Sequence, residues 1–139
     1  MILLTTDEII TLHSKLISRT GGSDGVRDIN LLESALYSAV SGFDGFDAYP
    51  SIEEKSARLM YSLVNNHPFV DGNKRIGVLV MLMTLKLNNI TIVYKQNELI
   101  TLGLSVADGS CGYYDILKWI KNHIEITGGQ CEKIIKKQS

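Results

Sequence analysis

The stretch His67–Arg75, with the sequence HPFVDGNKR, stands directly before the longest apolar run of the chain. Pro68 cannot continue a helix, so a helix that reaches this stretch must end there. Gly72 permits a turn with positive φ, and Asn73 is a preferred N-cap residue. The sequence therefore predicts a tight loop that closes onto the N-terminus of a helix.

The apolar run after this loop predicts the buried central helix of the fold. Residues from Asn73 to about Leu87 have the length and composition of a helix, and between Val78 and Leu85 apolar side chains occupy every face. A buried β-strand is the alternative. The length of the segment and the cap before it disfavour that alternative.

Five further segments carry apolar side chains at helical spacing beside capping or breaking residues. They run from Thr5 or Thr6 to about Arg19, from a cap at Asp28, from a cap at Ser51 up to His67, from Asn97 or Glu98 to Ala107, and from Tyr113 to Ile124. The patterns favour one all-α domain over residues 1–127, with residues 128–139 as a frayed tail.

The predicted helix start after the loop has the properties of an anion site. Free backbone N–H groups and the helix dipole attract negative charge there. Lys74 and Arg75 add two cations at the positive end of the dipole, where cations are unfavourable unless an anion binds. Arginine binds phosphate in a bidentate fork and lysine acts as a point charge. We interpret Gly72, Asn73, Lys74 and Arg75 as a polyphosphate site.

Two more residues of the loop have reactive chemistry. Histidine is the commonest general base in enzymes, so His67 is suited to accept a proton from a hydroxyl group. Asp71 is a hard oxygen ligand suited to Mg²⁺. Singly, each loop residue also has a structural explanation, as a cap, an anchor or a solvated charge. A base, a metal ligand and an anion site within nine residues favour group transfer from a nucleotide.

The loop motif resembles that of the Fic/Doc family, His-x-Phe-x-Asp/Glu-Gly-Asn-Gly/Lys-Arg, and lysine at its eighth position is typical of the Doc (death-on-curing) branch. Segments 21–22, 25–28, 31–36 and 49–55 are also similar to Doc, so the resemblance covers about residues 3–124. It implies a bundle of about six helices around a buried central helix, with a flap loop or a short hairpin.

The resemblance also implies a reaction. Doc proteins are toxins of type II toxin–antitoxin systems, and the implied chemistry uses Mg²⁺ and ATP. His67 would take the proton of the target hydroxyl, Asp71 would hold Mg²⁺, and residues 72–75 would bind the phosphates. In Doc the lysine reverses the nucleotide, so that the γ-phosphoryl group is transferred to a threonine of elongation factor Tu and growth stops.

Two other activities stay open at this stage. Relatives with glycine at the position of Lys74 transfer AMP to a protein hydroxyl. Val78 stands where those enzymes carry a second arginine, which disfavours AMP transfer here. A third interpretation is an inactive nucleotide-binding module, and the intact His67 argues against it.

The irregular segment 41–50 contains two glycines and three aromatic residues. In the Fic/Doc family the equivalent region forms a flap that aligns the target. The resemblance implies that role for Phe46, Asp47, Ala48 and Tyr49. The alternative is a loop whose aromatic side chains plug into the core.

Some Fic proteins carry an inhibitory helix with the motif Ser/Thr-x-x-x-Glu-Gly/Asn, which this sequence does not contain. The resemblance therefore implies restraint by a separate antitoxin of the Phd kind.

Composition limits the other classes of function. The net charge of −1 provides no basic field, so direct nucleic-acid binding is not expected. The longest apolar run is about half a membrane span, and no signal peptide opens the sequence, so a cytoplasmic location is expected. Cys111 and Cys131 lack metal-site spacing and are predicted to be free thiols. His13 and His123 are interpreted as packing residues without acidic partners.

Overall fold

Six helices and one short hairpin make up residues 1–125, the part of the chain that the computed structural model describes. The elements are α1 (Thr6–Thr20), α2 (Ile29–Val40), β1 (Gly42–Phe43), β2 (Phe46–Asp47), α3 (Ile52–Asn66), α4 (Asn73–Leu87), α5 (Gln96–Ala107) and α6 (Tyr113–His123). The all-α architecture predicted from the sequence is confirmed. The predicted tail, 128–139, lies outside the described residues, as does Cys131.

Capping side chains fix the start of three helices where the sequence predicted them. The hydroxyl groups of Thr5 and Ser51 accept hydrogen bonds from the N–H groups of Glu8 (3.2 Å) and Glu54 (3.1 Å), in reciprocal capping boxes. Asp28 likewise caps α2 through the amide of Asn30. These local bonds determine where α1, α2 and α3 begin.

The predicted central helix, α4, packs against α3, and the pair forms the middle of the bundle. The two helices approach closely at Gly77, where an added Cβ atom would lie 2.7 Å from Val64 Cγ2. One side of the pair packs on α1 and α2, around Ile9, Leu32 and Phe69. The other side packs on α5 and α6, around Leu99, Ile116 and Ile120.

The segment between α2 and α3 is a short hairpin, one of the two forms that the family resemblance implied for it. Phe43 pairs with Phe46 across a turn in which Asp44 and Gly45 have φ values of 50° and 79°. Two successive positive φ values match the twist of a tight hairpin. Phe43 and Phe46 are 80% and 78% exposed, so the interpretation of these aromatic residues as core plugs is wrong.

Among the described residues, no helix combines the length and the apolar character that crossing a bilayer requires.

Candidate active site

The helix that carries His67 ends in a left-handed residue. His67 is the C-cap of α3, with φ 51° and ψ 55°, and its side chain is exposed. The guanidinium group of Arg27 donates to the carbonyl groups of His67 (2.7 Å) and Asn66 (3.1 Å). A cation at these carbonyl groups satisfies acceptors that the helix leaves free. The backbone of His67 is thereby held while its imidazole faces solvent.

The next loop residues pair with the segment before α2. The N–H groups of Arg27 and Asp28 both donate to the Pro68 carbonyl group, at 2.8 and 3.0 Å. The Val70 amide donates to Gly25 at 3.0 Å, and Phe69 forms a β-bridge with Val26. Phe69 is 1% exposed, so its side chain lies in the core. The loop is therefore attached to the protein on both sides of its buried phenylalanine.

The start of α4 differs from the prediction by one residue. Gly72, with φ 75°, is the N-cap, and Asn73 is the first helical residue. The Asn73 side chain does not cap the helix: it accepts from the Phe69 amide (2.9 Å) and donates to the Phe69 carbonyl group (3.0 Å). The prediction of Asn73 as N-cap is wrong because its amide closes the loop across four residues instead.

Asp71 lies in this loop as an ionised carboxylate. Its side chain accepts hydrogen bonds from the backbone amides of Ser23 (3.1 Å) and Gly72 (2.8 Å), and Arg75 Nη2 lies 3.7 Å away. These amides first, and then the Arg75 charge, hold the pKa of Asp71 below its usual range. Gly22 makes the approach possible, because a Cβ atom there would lie 2.5 Å from Asp71 Oδ2.

The suitability of Asp71 for Mg²⁺ follows from this environment. In the described part of the chain, no cluster of three or more His, Cys, Asp or Glu side chains is placed to hold a metal. Mg²⁺ is commonly bound by one or two carboxylates together with substrate phosphates and water. One ionised carboxylate fits a metal that arrives with a nucleotide, and it does not fit an independent metal centre.

The two predicted phosphate-binding cations extend in different directions. Arg75 Nη1 donates to the Thr20 hydroxyl group and to the Gly21 carbonyl group (2.7 Å), so this guanidinium group ties α4 to the end of α1. The aliphatic part of Lys74 packs along α5. A Cβ atom added at Gly103, on that helix, would lie 3.2 Å from Lys74 Cγ. The structural role of Arg75 was not apparent from the sequence.

Sequence reasoning missed His13 as a partner of the loop. This histidine is 1% exposed, and its Nε2 atom lies 2.6 Å from the Asp71 carbonyl oxygen. Its Nδ1 atom lies 3.4 Å from Asp24 Oδ1. The expectation that the scattered histidines lack acidic partners is wrong also for His123, which lies 2.9 Å from Glu98. In both cases the acid comes from another part of the chain.

The predicted flap residues are anchored at the base of the hairpin. Lys55, only 4% exposed, donates to Asp47 Oδ2 (2.5 Å) and to the Ala39 carbonyl group (3.2 Å). The Ala48 amide donates to Ser41, and the ring of Tyr49 contacts that of Tyr113 edge to face at 5.1 Å. Phe46 stays exposed. The same helix, α3, thus carries the flap anchor near its start and His67 at its end.

Comparisons with known proteins agree with the motif. The model of the Fic/DOC family matches residues 3–85. Toxin Doc of Mycolicibacterium smegmatis is 39% identical over 72 residues, which are 52% of this chain and 55% of that protein. Protein kinase doc of Escherichia phage P1 is 30% identical over 106 residues, which are 76% of this chain and 82% of that protein. The chain thus matches about half the length of the first relative and most of the second.

Replacing Asp47 by Asn is expected to lower the melting temperature, because the buried Lys55 ammonium group loses its ion partner. Lys55 first, and then the Tyr49 amide, lower the pKa of Asp47. The stabilisation is therefore complete above the ordinary carboxylate pKa and is lost as pH falls through the lowered value. Thermal unfolding between pH 7 and pH 3 should show a weaker acid dependence in Asp47→Asn than in the unmodified protein.

Asp44→Asn is the matched control, because Asp44 lies in the same hairpin and has no ion pair within the described residues. Equal melting temperatures and equal acid dependence in the two variants would contradict the anchoring role.

Proposed function

The chain belongs to the Fic/DOC family, and from that premise we propose that it is a Doc-type toxin that transfers the γ-phosphoryl group of ATP to a protein threonine. The names of the two relatives, a toxin and a protein kinase, support the proposal. The observation that carries it is the loop itself. An exposed histidine with a fixed backbone, an ionised carboxylate and a helix N-terminus with two cations lie within residues 67–75.

We assign one chemical step to the loop, the transfer of the γ-phosphoryl group of ATP to the target hydroxyl group. The imidazole of His67 takes the proton of the target hydroxyl group as its oxygen bonds to the γ-phosphorus atom. The bond from that phosphorus atom to the β,γ-bridging oxygen breaks, and ADP leaves. Mg²⁺ bound at Asp71 would neutralise charge on the phosphates. The imidazole of His67 is exposed at the end of α3, so an incoming hydroxyl group can reach it.

The start of α4 is assigned to the phosphates. The first hydrogen bond of this helix runs from the Ile76 amide to Gly72 (2.9 Å), so the N–H groups of residues 73–75 have no helical acceptors. These groups, with Lys74, supply positive potential where the phosphates carry negative charge. Arg75 adds a positive charge near the phosphates, but its Nη1 atom is not free to bind them because it donates to Thr20 and Gly21.

We assign the target from the resemblance to Doc, as a threonine of elongation factor Tu, whose modification would stop translation and growth. A cytoplasmic location is part of the same proposal. AMP transfer is the competing reaction on this scaffold, and the label experiment below separates the two.

The antitoxin is proposed to bind in a groove of about 400 Å³ between α1, α4 and α5. Among the described residues, Lys74 and Arg75 are the two cations in its lining. Most of the remaining lining is apolar and includes Leu16, Leu79, Leu82, Leu99 and Ile100. This combination fits an amphipathic segment with acidic residues at one end. An occupant there would also cover the start of α4.

The catalytic assignment predicts that His67→Asn abolishes transfer. Asparagine tolerates the left-handed conformation of His67, so the loop should keep its shape while the base is lost. Transfer of γ-labelled phosphate to elongation factor Tu should fall about 10²–10⁴-fold. Equilibrium binding of ATP should change little. Wild-type transfer rates in a folded His67→Asn variant would refute the role of His67 as base.

The role of Lys74 predicts which label reaches the target. The unmodified protein should transfer label from γ-labelled ATP and not from α-labelled ATP. Lys74→Met keeps the stem against α5 and removes the charge, so transfer of the γ label should fall by roughly tenfold to a hundredfold, which corresponds to the 1.5–3 kcal/mol of a charged hydrogen bond. Lys74→Gly removes the stem as well and should show the same loss, with some α label on the target. Transfer of the α label by the unmodified protein would replace the kinase proposal with AMP transfer.

If the antitoxin binds in this groove, a substitution inside the groove should weaken binding and a similar one outside it should not. Ile100 and Leu104 lie on α5 with similar exposure, 54% and 49%, and only Ile100 lines the groove. Titration calorimetry with the proposed Phd-like antitoxin should show at least about tenfold weaker binding for Ile100→Glu, since a charge enters an apolar contact. Leu104→Glu should bind as the unmodified chain does. Equal affinities in both variants would place the antitoxin elsewhere.

A further inference from the structure

His13 is a buried histidine that the proposed reaction does not use. It lies on α1, is 1% exposed, and stacks on Phe69 with ring centroids 3.8 Å apart and an interplanar angle of 11°. Polar side chains this deeply buried normally have hydrogen-bond partners. The partners of His13 are therefore informative about its role.

The partner of Nε2 is the backbone of the active loop. The Asp71 carbonyl oxygen lies 2.6 Å from Nε2, and a carbonyl oxygen only accepts hydrogen bonds. The Nε2 atom must therefore carry the hydrogen. On the opposite side of the ring, Nδ1 faces Asp24 Oδ1 at 3.4 Å. Asp24 is itself held by the Ser14 hydroxyl group and by the Gly25 amide (2.8 Å).

His13 thus holds the loop at two points. Its ring supports Phe69, and its Nε2–H group binds the carbonyl group of Asp71, two residues further along. Asn73, the first residue of α4, binds the backbone of Phe69 through its side chain and so links the helix to the same loop. A change at His13 would therefore move the carboxylate of Asp71 and the N-terminus of α4 together.

We infer that His13 is a positioning residue of the active site, which sets the Asp71 backbone through the Nε2–H···O bond. The inference deepens the proposed function and rests on it for its effect on rate. The effect on the loop is independent of which group is transferred. A residue that only filled the core would be replaceable by any ring of the same size.

Two substitutions separate the hydrogen bond from the ring. His13→Phe keeps an aromatic ring against Phe69 and removes both nitrogen atoms. His13→Gln loses the ring, but its amide nitrogen reaches about as far as Nε2 and restores a donor to Asp71. Ile116→Val is the control, because Ile116 lies on α6 and is fully buried in the other core cluster.

The first measurement is hydrogen exchange of the loop amides that donate hydrogen bonds, which needs no activity. These are the amides of Phe69, Val70, Gly72 and Ile76. His13→Phe should accelerate exchange in this loop by about tenfold or more, as the loop opens locally. His13→Gln should restore it, and Ile116→Val should leave it unchanged. Unchanged exchange in a folded His13→Phe variant would overturn the inference.

The second measurement is the rate of γ-phosphoryl transfer. His13→Phe should lower kcat about 10²-fold, since small misplacement of a reacting group has that effect. KM for ATP should rise as well, because the phosphate-binding start of α4 moves with Asp71. His13→Gln should recover most of kcat. A loss of kcat in Ile116→Val equal to that in His13→Phe would show that stability alone is responsible.

If His13→Phe does not fold, His13→Asn replaces it, because its amide is too short to reach Asp71. His13→Asn should then lose kcat and loop protection where His13→Gln keeps them, and equal behaviour of the two would overturn the inference. An unmodified chain that transfers no phosphate would refute the proposed function, and the exchange measurement would still decide the role of His13.

Discussion

The C-terminus of α3 imposes the constraint on which the site depends. Pro68 ends the helix and leaves carbonyl groups without helical donors, and the segment before α2 supplies the missing donors. The side chain of Arg27 binds the carbonyl groups of Asn66 and His67, while the amides of Arg27 and Asp28 bind that of Pro68. The left-handed backbone at His67 is possible because these bonds hold it. The loop from Phe69 to Arg75 begins at that exit.

Local chemistry explains which parts of the structure the sequence predicted. The capping residues Thr5, Asp28 and Ser51 act within three residues of their own positions, so their sequence context is sufficient. The Asp44–Gly45 turn is local in the same way. The N-cap assignment at Asn73 failed because its amide had a competing acceptor and donor on Phe69, within the loop. Two satisfactory local solutions existed, and sequence alone did not choose between them.

Contacts between distant segments were beyond prediction. His13 and Asp71 are 58 positions apart, and Arg75 and Thr20 are 55 apart. No local pattern marks either pair, because a buried histidine on an amphipathic helix reads as one more packing residue. Arg75 was interpreted through its charge alone, whereas the structure uses one of its nitrogen atoms to join two helices. Helices and loop motif were thus predictable, and the supports of the loop were not.

The distance along the chain between the loop and its supports has a consequence for synthesis. Arg27 and His67 are 40 positions apart, and closing such long loops delays the contacts that depend on them. Helices α1 and α2 can therefore form on the ribosome well before residue 75 has left the exit tunnel. The nascent chain can have its first two helices before it has an assembled loop, so the competence of the site arises only when translation of this region is complete.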